Sequence, residues 1–332
     1  MSTFNPERPT VASPIPDQQD ADRPVRLGTR GSALALAQTA IIRALLDCQS
    51  PPIASAVEVV HSLGDQVPDR PLAALKSQGI FTDALEHALR VSRVDAVIHS
   101  AKDLPSTLPA DMLLVAAPGR DDPRDCLVTA GGISLLDLPT AATIGTGSPR
   151  RIAQLRLLRP DLRFEPIRGN VDTRRRAALT GKVDAVILAA AGLRRLGLMD
   201  RHAAVLPIEV CLPQAGQGTL AIEIRAADRL MAEIFGALNR QFDTTRACLF
   251  AERAVLAHLG AGCQAPIAAY AEILPDQSLL LRGCVAALDG TVMLRSVRQG
   301  RMDMAEELGR VVAEELRRQG AVAILATAAE LT

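Results

Sequence analysis

Ile144-Gly145-Thr146-Gly147-Ser148-Pro149-Arg150-Arg151, running on to Arg168-Gly169-Asn170-Val171-Asp172-Thr173-Arg174-Arg175-Arg176, is the stretch on which the reading of this 332-residue chain turns. A short apolar run, Ala142 to Ile144, enters a Gly/Thr/Ser turn. An amphipathic pattern leaves it, with Ile152, Leu155 and Leu158 on one side. Pro149 suits the first helical position, where a missing N–H costs nothing. Backbone amides, the Thr146 and Ser148 hydroxyls and two arginines therefore converge on one helix N-terminus, which suits an anion. From Ile144 to Arg201 there are thirteen Lys/Arg against five Asp/Glu, in a chain of net charge zero. Arg150, Arg151, Arg168 and Arg174 sit beside tight turns and read as an anion site, because arginine's planar fork takes a carboxylate by two bonds at once. Arg150 and Arg151 are expected to face solvent in an empty cleft.

The same pattern occurs earlier. Leu27-Gly28-Thr29-Arg30-Gly31-Ser32 resembles Ile144-Gly145-Thr146-Gly147-Ser148, and a helical run with an Ala-Gln pair follows each. Val94-Asp95-Ala96-Val97-Ile98 matches Val183-Asp184-Ala185-Val186-Ile187. Two similar α/β lobes follow, each offering a helix N-terminus to a shared cleft. The first D-A-V-I strand delivers His99-Ser100-Ala101-Lys102-Asp103 at its carboxyl end, where open α/β sheets place ligands. Arg120 to Asp125 and Leu212 to Gly218 read as two crossings between the lobes, a hinge, with the strand Thr219 to Ile224 returning to the first lobe. Ser62 to Gly79 is a long loop and reads as a lid or binding loop. From Thr244 the texture changes to a helix (Thr245 to Leu259), a Gly-rich loop around Cys263, three strands and the helix Met304 to Arg318. The expected division is a disordered tail (1–24), lobe 1 (25–119 with 219–240), lobe 2 (120–218) and a small α+β unit (241–332).

Composition excludes several classes. Aromatics are 2%, with no Trp, which argues against single-stranded nucleic-acid binding by stacking. Zero net charge argues against a duplex binder. No apolar run approaches a membrane span, and the tail lacks the apolar core of a secretory signal. The six cysteines form no C-x-x-C pair and the histidines no metal-ligand spacing, so no metal is expected and reduced cytosolic thiols are the default. Cys48, Cys126, Cys211, Cys248 and Cys284 lie within or beside apolar runs and read as core residues. Cys263, in Gly260-Ala261-Gly262-Cys263-Gln264-Ala265-Pro266, is exposed to chemistry.

Together these residues resemble the porphobilinogen deaminase (hydroxymethylbilane synthase) family, from Val25 to the C-terminus. The motifs are Arg26-Leu27-Gly28-Thr29-Arg30-x-Ser32, His99-Ser100-x-Lys102-Asp103-x-Pro105, Gly145-Thr146-x-Ser148-x-Arg150-Arg151, Arg168-Gly169-Asn170-Val171-x-Thr173-Arg174, Ala191-Gly192-Leu193-x-Arg195-Leu196-Gly197, Gly216-Gln217-Gly218 and Gly262-Cys263-Gln264-x-Pro266. The resemblance implies two periplasmic-binding-protein-like lobes with a hinge, plus a small α+β C-terminal domain. It implies a transferase of tetrapyrrole and heme biosynthesis that joins four porphobilinogen molecules into hydroxymethylbilane and releases four ammonia. It implies a dipyrromethane cofactor, attached covalently to Cys263. Arg30, Ser32, Thr146, Ser148, Arg150, Arg151, Arg168, Arg174 and Arg195 would hold acetate and propionate side chains, with Ser100 and Lys102 also on the cofactor. Asp103 would be the catalytic carboxylate, accepting pyrrole N–H groups. Phe81 packs either against a ring or in its own helix's core. A cytoplasmic monomer is expected, with no nucleic acid and no membrane.

The sequence departs from the family pattern in the lid, where common lysines align with Ala74 and Gln78 and only Lys76 is near. Gly147, Pro149, Ala261 and Ala268 also replace frequent family residues. The rival reading is a non-enzymatic, two-lobed anion-binding protein. Cys263 in its loop and Asp103 in a cationic cleft argue against it, since an anion binder gains nothing from that carboxylate.

Overall fold

The computed structural model describes residues 23–61, 82–240, 243–260, 262 and 264–331. Cys263, Ala261, the lid with Ala74, Lys76 and Gln78, Phe81 and the tail up to residue 22 lie outside the described residues. Two α/β lobes and a C-terminal α+β unit make up the rest.

The first lobe is a five-stranded sheet. Its elements are β1 (Val25–Thr29), α1 (Ala33–Asp47), β2 (Ser55–Val59), α2 (Asp83–Arg90), β3 (Ala96–Ser100) and β4 (Met112–Ala116). The second lobe holds β5 (Asp125–Thr129), β6 (Thr143–Gly145), α3 (Pro149–Leu158), β7 (Arg163–Glu165), α4 (Val171–Leu179), β8 (Ala185–Ala189), α5 (Ala190–Arg195) and β9 (Ala203–Val205). The chain then returns as β10 (Leu220–Arg225), which lies antiparallel between β3 and β4. The strand orders are β2-β1-β3-β10-β4 and β7-β6-β8-β5-β9. They are the same order: a parallel trio, then one antiparallel strand supplied just after a crossing from the other lobe, then an edge strand. This is the expected periplasmic-binding-protein-like pair.

The repeated sequence words have repeated structural jobs. Asp95 Oδ2 accepts the Arg26 backbone N–H at 2.9 Å, and Asp184 Oδ2 accepts that of Thr143 at 2.7 Å. Each aspartate thereby sets the register of the first strand against the third. A Cβ on Gly28 would lie 3.1 Å from Val94 and 3.2 Å from Val97; one on Gly145 would lie 3.3 Å from Val183 and 3.1 Å from Val186. The glycine of each G-T word is thus required by the valines of its own D-A-V-I word.

Helix α6 (Arg229–Arg240) follows β10 and packs on the first lobe through Met231, Phe235 and Leu238. In the C-terminal unit, α7 (Asp243–Leu259) leads to an antiparallel sheet, β11 (Ile267–Ile273), β12 (Leu279–Ala286) and β13 (Met293–Gly300). Helices α8 (Ala305–Arg318) and α9 (Ala321–Leu331) follow. One core joins Val255 of α7, Leu279 and Leu281 of β12, and Val312 and Leu316 of α8.

Two expectations need correction here. The tail does not extend to residue 24 as a free segment: Arg23 donates to Asp95 at 2.6 and 2.9 Å, a carboxylate Arg26 also engages. Cys48 is exposed, because the buried face of α1 ends at Leu46 and Cys48 is its C-terminal cap. Cys126, Cys211, Cys248 and Cys284 are buried as read.

Candidate active site

The Asp103 turn is built at the end of β3. Residues Ala101–Asp103 form one turn of 3-10 helix, which lifts Lys102 and Asp103 off the sheet edge. Ala101 and Leu104 pack beneath with Leu249 of α7, leaving Asp103 exposed. Ser100 accepts a hydrogen bond from Gln38 of α1 at 2.8 Å. Ser32 caps α1, accepting the Ala35 N–H at 3.2 Å. Ser148 takes the N-cap position of α3 without a side-chain bond, and its own N–H donates to Thr146 Oγ1 at 3.2 Å. Pro149 does open α3.

Between the lobes a small cleft of about 90 Å³ is lined by Gln38, Ser100 and Lys102 of lobe 1 and by Arg151, Arg174 and Arg195 of lobe 2. Burial, with the nearby charges of Arg151 and Arg150, lowers the Lys102 ammonium to about 8, against the pull of Asp103. Burial and the Arg151 and Arg168 charges likewise lower Arg174, again with Asp103 opposing. Arg195 is lowered by burial too; it donates to the Gly218 carbonyl at 2.6 Å. The Nε of Arg151 and of Arg195 is buried and lacks a hydrogen-bond partner among the described residues. A cleft of mutually repelling cations with unsatisfied donors fits an acceptor-rich polyanion. A dipyrromethane, with its acetate and propionate arms, meets that description.

Arg150 and Arg151 differ from expectation. Neither faces solvent: they are 3% and 8% exposed. Both donate to the fully buried Asp125, at 2.7 and 2.6 Å, which also accepts from Gln217 at 3.0 Å. Burial alone would raise the Asp125 carboxyl, but the two guanidinium charges hold it well below the usual carboxylate range. Arg150 is further engaged by the Leu212 carbonyl at 2.7 Å and by Cys211, so it is part of the lobe interior, while Arg151 reaches the cleft wall. The physical reason is Asp125 at the start of β5, a partner 25 residues away that the local turn pattern does not reveal.

Thr146 is buried, Ser32 and Arg30 are half-buried, and Arg168 is exposed at the mouth of the loop before α4. None of these four lines the Lys102 cleft. Sequence reasoning missed Gln217, which links the lobes: it accepts from Lys102 Nζ at 3.1 Å and donates to Asp125 and to the Pro123 carbonyl at 2.7 Å. The signal was its place between two glycines of positive φ, Gly216 and Gly218.

A two-lobed α/β protein with a cationic interlobe cleft, and one carboxylate near enough to oppose two of its cations, is a protein built to take a polyanion. Residues 25–233 match porphobilinogen deaminase, dipyromethane cofactor binding domain, and residues 246–318 match porphobilinogen deaminase, C-terminal domain. The chain belongs to the porphobilinogen deaminase family. Relatives with that name include proteins of Roseiflexus castenholzii (47% identical, over 90% of this chain and 98% of that one) and Syntrophobacter fumaroxidans (41%, 92% and 97%). Among solved structures, the second substrate binding domain of a putative amino acid ABC transporter from Streptococcus pneumoniae aligns at TM-score 0.42 and 14% identity, over 66% of this chain and 93% of that one. Membership makes the chain a transferase of tetrapyrrole biosynthesis with a dipyrromethane-binding domain, and the non-enzymatic anion-binding reading falls.

Proposed function

We propose that the chain is a hydroxymethylbilane synthase, a cytoplasmic monomer that joins four porphobilinogen molecules and releases four ammonia. The observation that carries this reading is the lining of the interlobe cleft by Lys102, Arg151, Arg174 and Arg195, with Asp103 acting electrostatically on Lys102 and Arg174. Each substrate brings an acetate and a propionate, and a charge-assisted hydrogen bond to such a group contributes about 1.5–3 kcal/mol. Dipyrromethane, held covalently by Cys263, supplies the free pyrrole carbon on which the chain grows. Lys102, Ser100, Arg151, Arg174 and Arg195 hold its carboxylates. Arg30, Ser32, Thr146, Ser148 and Arg168 hold carboxylates further along. Arg150 supports them by fixing Asp125 under Arg151.

Asp103 accepts the N–H of the reacting pyrrole. Loss of ammonia from porphobilinogen leaves a cation spread onto that nitrogen, and Asp103 stabilises it and assists the later proton loss. At about 4 Å and an effective dielectric near 20, the pair is worth roughly 4 kcal/mol, or about three orders of magnitude in rate.

Intact mass tests the cofactor. The purified protein should exceed its sequence mass by the dipyrromethane increment, and Cys263→Ala should remove the excess. An active protein of bare sequence mass would end this reading. Single-turnover ammonia release tests Asp103: adduct-bearing Asp103→Asn should lose about a thousandfold in rate. A rate within about tenfold of the parent removes Asp103 from the chemistry.

A further inference from the structure

Helix α7 runs beneath the Asp103 turn and ends just before the Cys263 loop. Two of its side chains, four residues apart and so on one face, meet that turn and the residues that leave it. Leu249 packs against Ala101 and Leu104. Arg253 Nη2 donates to the carbonyls of Pro105 at 2.8 Å and Ser106 at 3.1 Å, immediately after the turn. Burial lowers Arg253, and the carboxylate acting against that is Glu223 of β10, which is fully buried. Glu223 Oε2 in turn meets His99 Nε2 at 3.0 Å, just before the turn. The other oxygen of Glu223 has no hydrogen-bond partner among the described residues. The segment from His99 to Ser106 is therefore tied at both ends to one buried group of charges, and the Arg253 tie belongs to the helix that leads to the cofactor cysteine.

We propose that Arg253 is a positioning residue for Asp103, holding the exit of its turn so that the carboxylate keeps a fixed place relative to the cofactor attachment. The inference rests on the reading of Asp103 as the catalytic carboxylate. Carbonyl groups cannot leave this tether by ionising, and a charged donor to a neutral acceptor is among the stronger hydrogen bonds. Loss of the tether lets Leu104 to Ser106 relax and moves Asp103 by a fraction of its own length. Misplacement on this scale affects reaction more than binding, because Lys102, Arg151, Arg174 and Arg195 hold the ligand by other contacts. Arg253→Met also leaves the Pro105 and Ser106 carbonyls without this donor and so lowers stability; Arg253→Lys keeps a charged donor within reach.

The test uses the full chain and follows intact mass, thermal midpoint, and kcat and KM for porphobilinogen by ammonia release. Arg253→Met should carry the normal adduct and lose about ten- to a hundredfold in kcat, with KM within about threefold of the parent. Arg253→Lys should recover most of the loss. In an Asp103→Asn background the same substitution should cost less than about twofold more, because its effect passes through Asp103. Full kcat in Arg253→Met, or an equal loss with and without Asp103, overturns the proposal. If Arg253→Met fails to fold, Arg253→Gln against Arg253→Lys decides: equal kcat in the two overturns it. A harmless Asp103→Asn would instead strike the underlying reading, so the two failures are distinct.

Discussion

Lys102 carries a charge in a place that disfavours it. Its pKa is lowered from 10.5 to about 8 by burial and by the arginines across the cleft. Between those values the unfolded chain binds a proton that the folded protein lacks, so Lys102 makes stability rise with pH through that window, and its penalty is fully present below about 8. A bound carboxylate reverses the preference, since it favours the ammonium. Loading of the dipyrromethane onto the empty cleft should therefore weaken as pH rises above about 8, and Lys102→Arg, which stays charged, should flatten that limb. Identical pH profiles of adduct formation for the two proteins, followed by intact mass, would exclude Lys102 as the titrating group. Arg150 makes the opposite case, a charge that the fold needs. Arg150→Ala removes one of two cations from buried Asp125 and should cost about 3–5 kcal/mol in denaturant unfolding. Asp103→Asn, on an exposed side chain, should lie within about 0.5 kcal/mol of the parent. An Arg150→Ala protein as stable as that one would return Arg150 to the ligand-facing set.

At the scale of elements, the paired words L-G-T and I-G-T mark the first strand of each lobe, and their glycines answer to packing. Gly28→Ala and Gly145→Ala each place a methyl 3.1 Å from a valine on the neighbouring strand or its lead-in. Each should cost about 1–3 kcal/mol by overpacking. Thermal unfolding of the two variants measures it, and no loss in either would show that the sheets yield easily. These words, with V-D-A-V-I and the Thr219 to Ile224 strand, made the lobes legible from sequence because short buried strands bounded by Gly and Asp repeat in the same order. Helix α9 was not legible. Ala321 to Leu331 is apolar nearly throughout, buries only Ala321 and Ala328, and so offers no polar face for a period to show. Of the cleft cations, Arg151 and Arg174 were legible by their turns and Lys102 by its place at a strand's carboxyl end, while Arg195 was named only through the family resemblance. Which way Arg150 and Arg151 point was not, because it depends on Asp125 in another strand. Gln217 was hidden for the same reason, since a lone glutamine acquires meaning only from Lys102 and Asp125 on either side of the hinge.

At the scale of the whole molecule, Glu252 of α7 joins all three parts. It is fully buried and accepts from Arg120 at the first crossing at 2.6 and 3.2 Å, from the Gly216 N–H at the second crossing at 2.7 Å, and from the Ala271 N–H of β11 at 2.7 Å. Arg120 also lies 5.1 Å from the centre of the Tyr270 ring. Burial raises the Glu252 carboxyl, and Arg120 works against that rise. Such a group is neutral in its effect only while every partner is in place, because each one left behind is a buried donor without an acceptor. Glu252→Ala leaves the buried Arg120 charge without its counter-ion, held only by the Gln217 and Ala271 carbonyls, and strands two backbone N–H groups, and should cost about 3–5 kcal/mol. The loss falls on the contact between the lobes and the C-terminal unit, and the unit's own core around Val255, Leu281 and Val312 remains. Unfolding should consequently lose cooperativity, with the van't Hoff enthalpy falling below the calorimetric one. Glu252→Gln keeps an acceptor for the backbone donors and should fall between the two. One sharp transition in Glu252→Ala, at the parent's midpoint, would show that apolar packing alone couples the cysteine-bearing unit to the hinge.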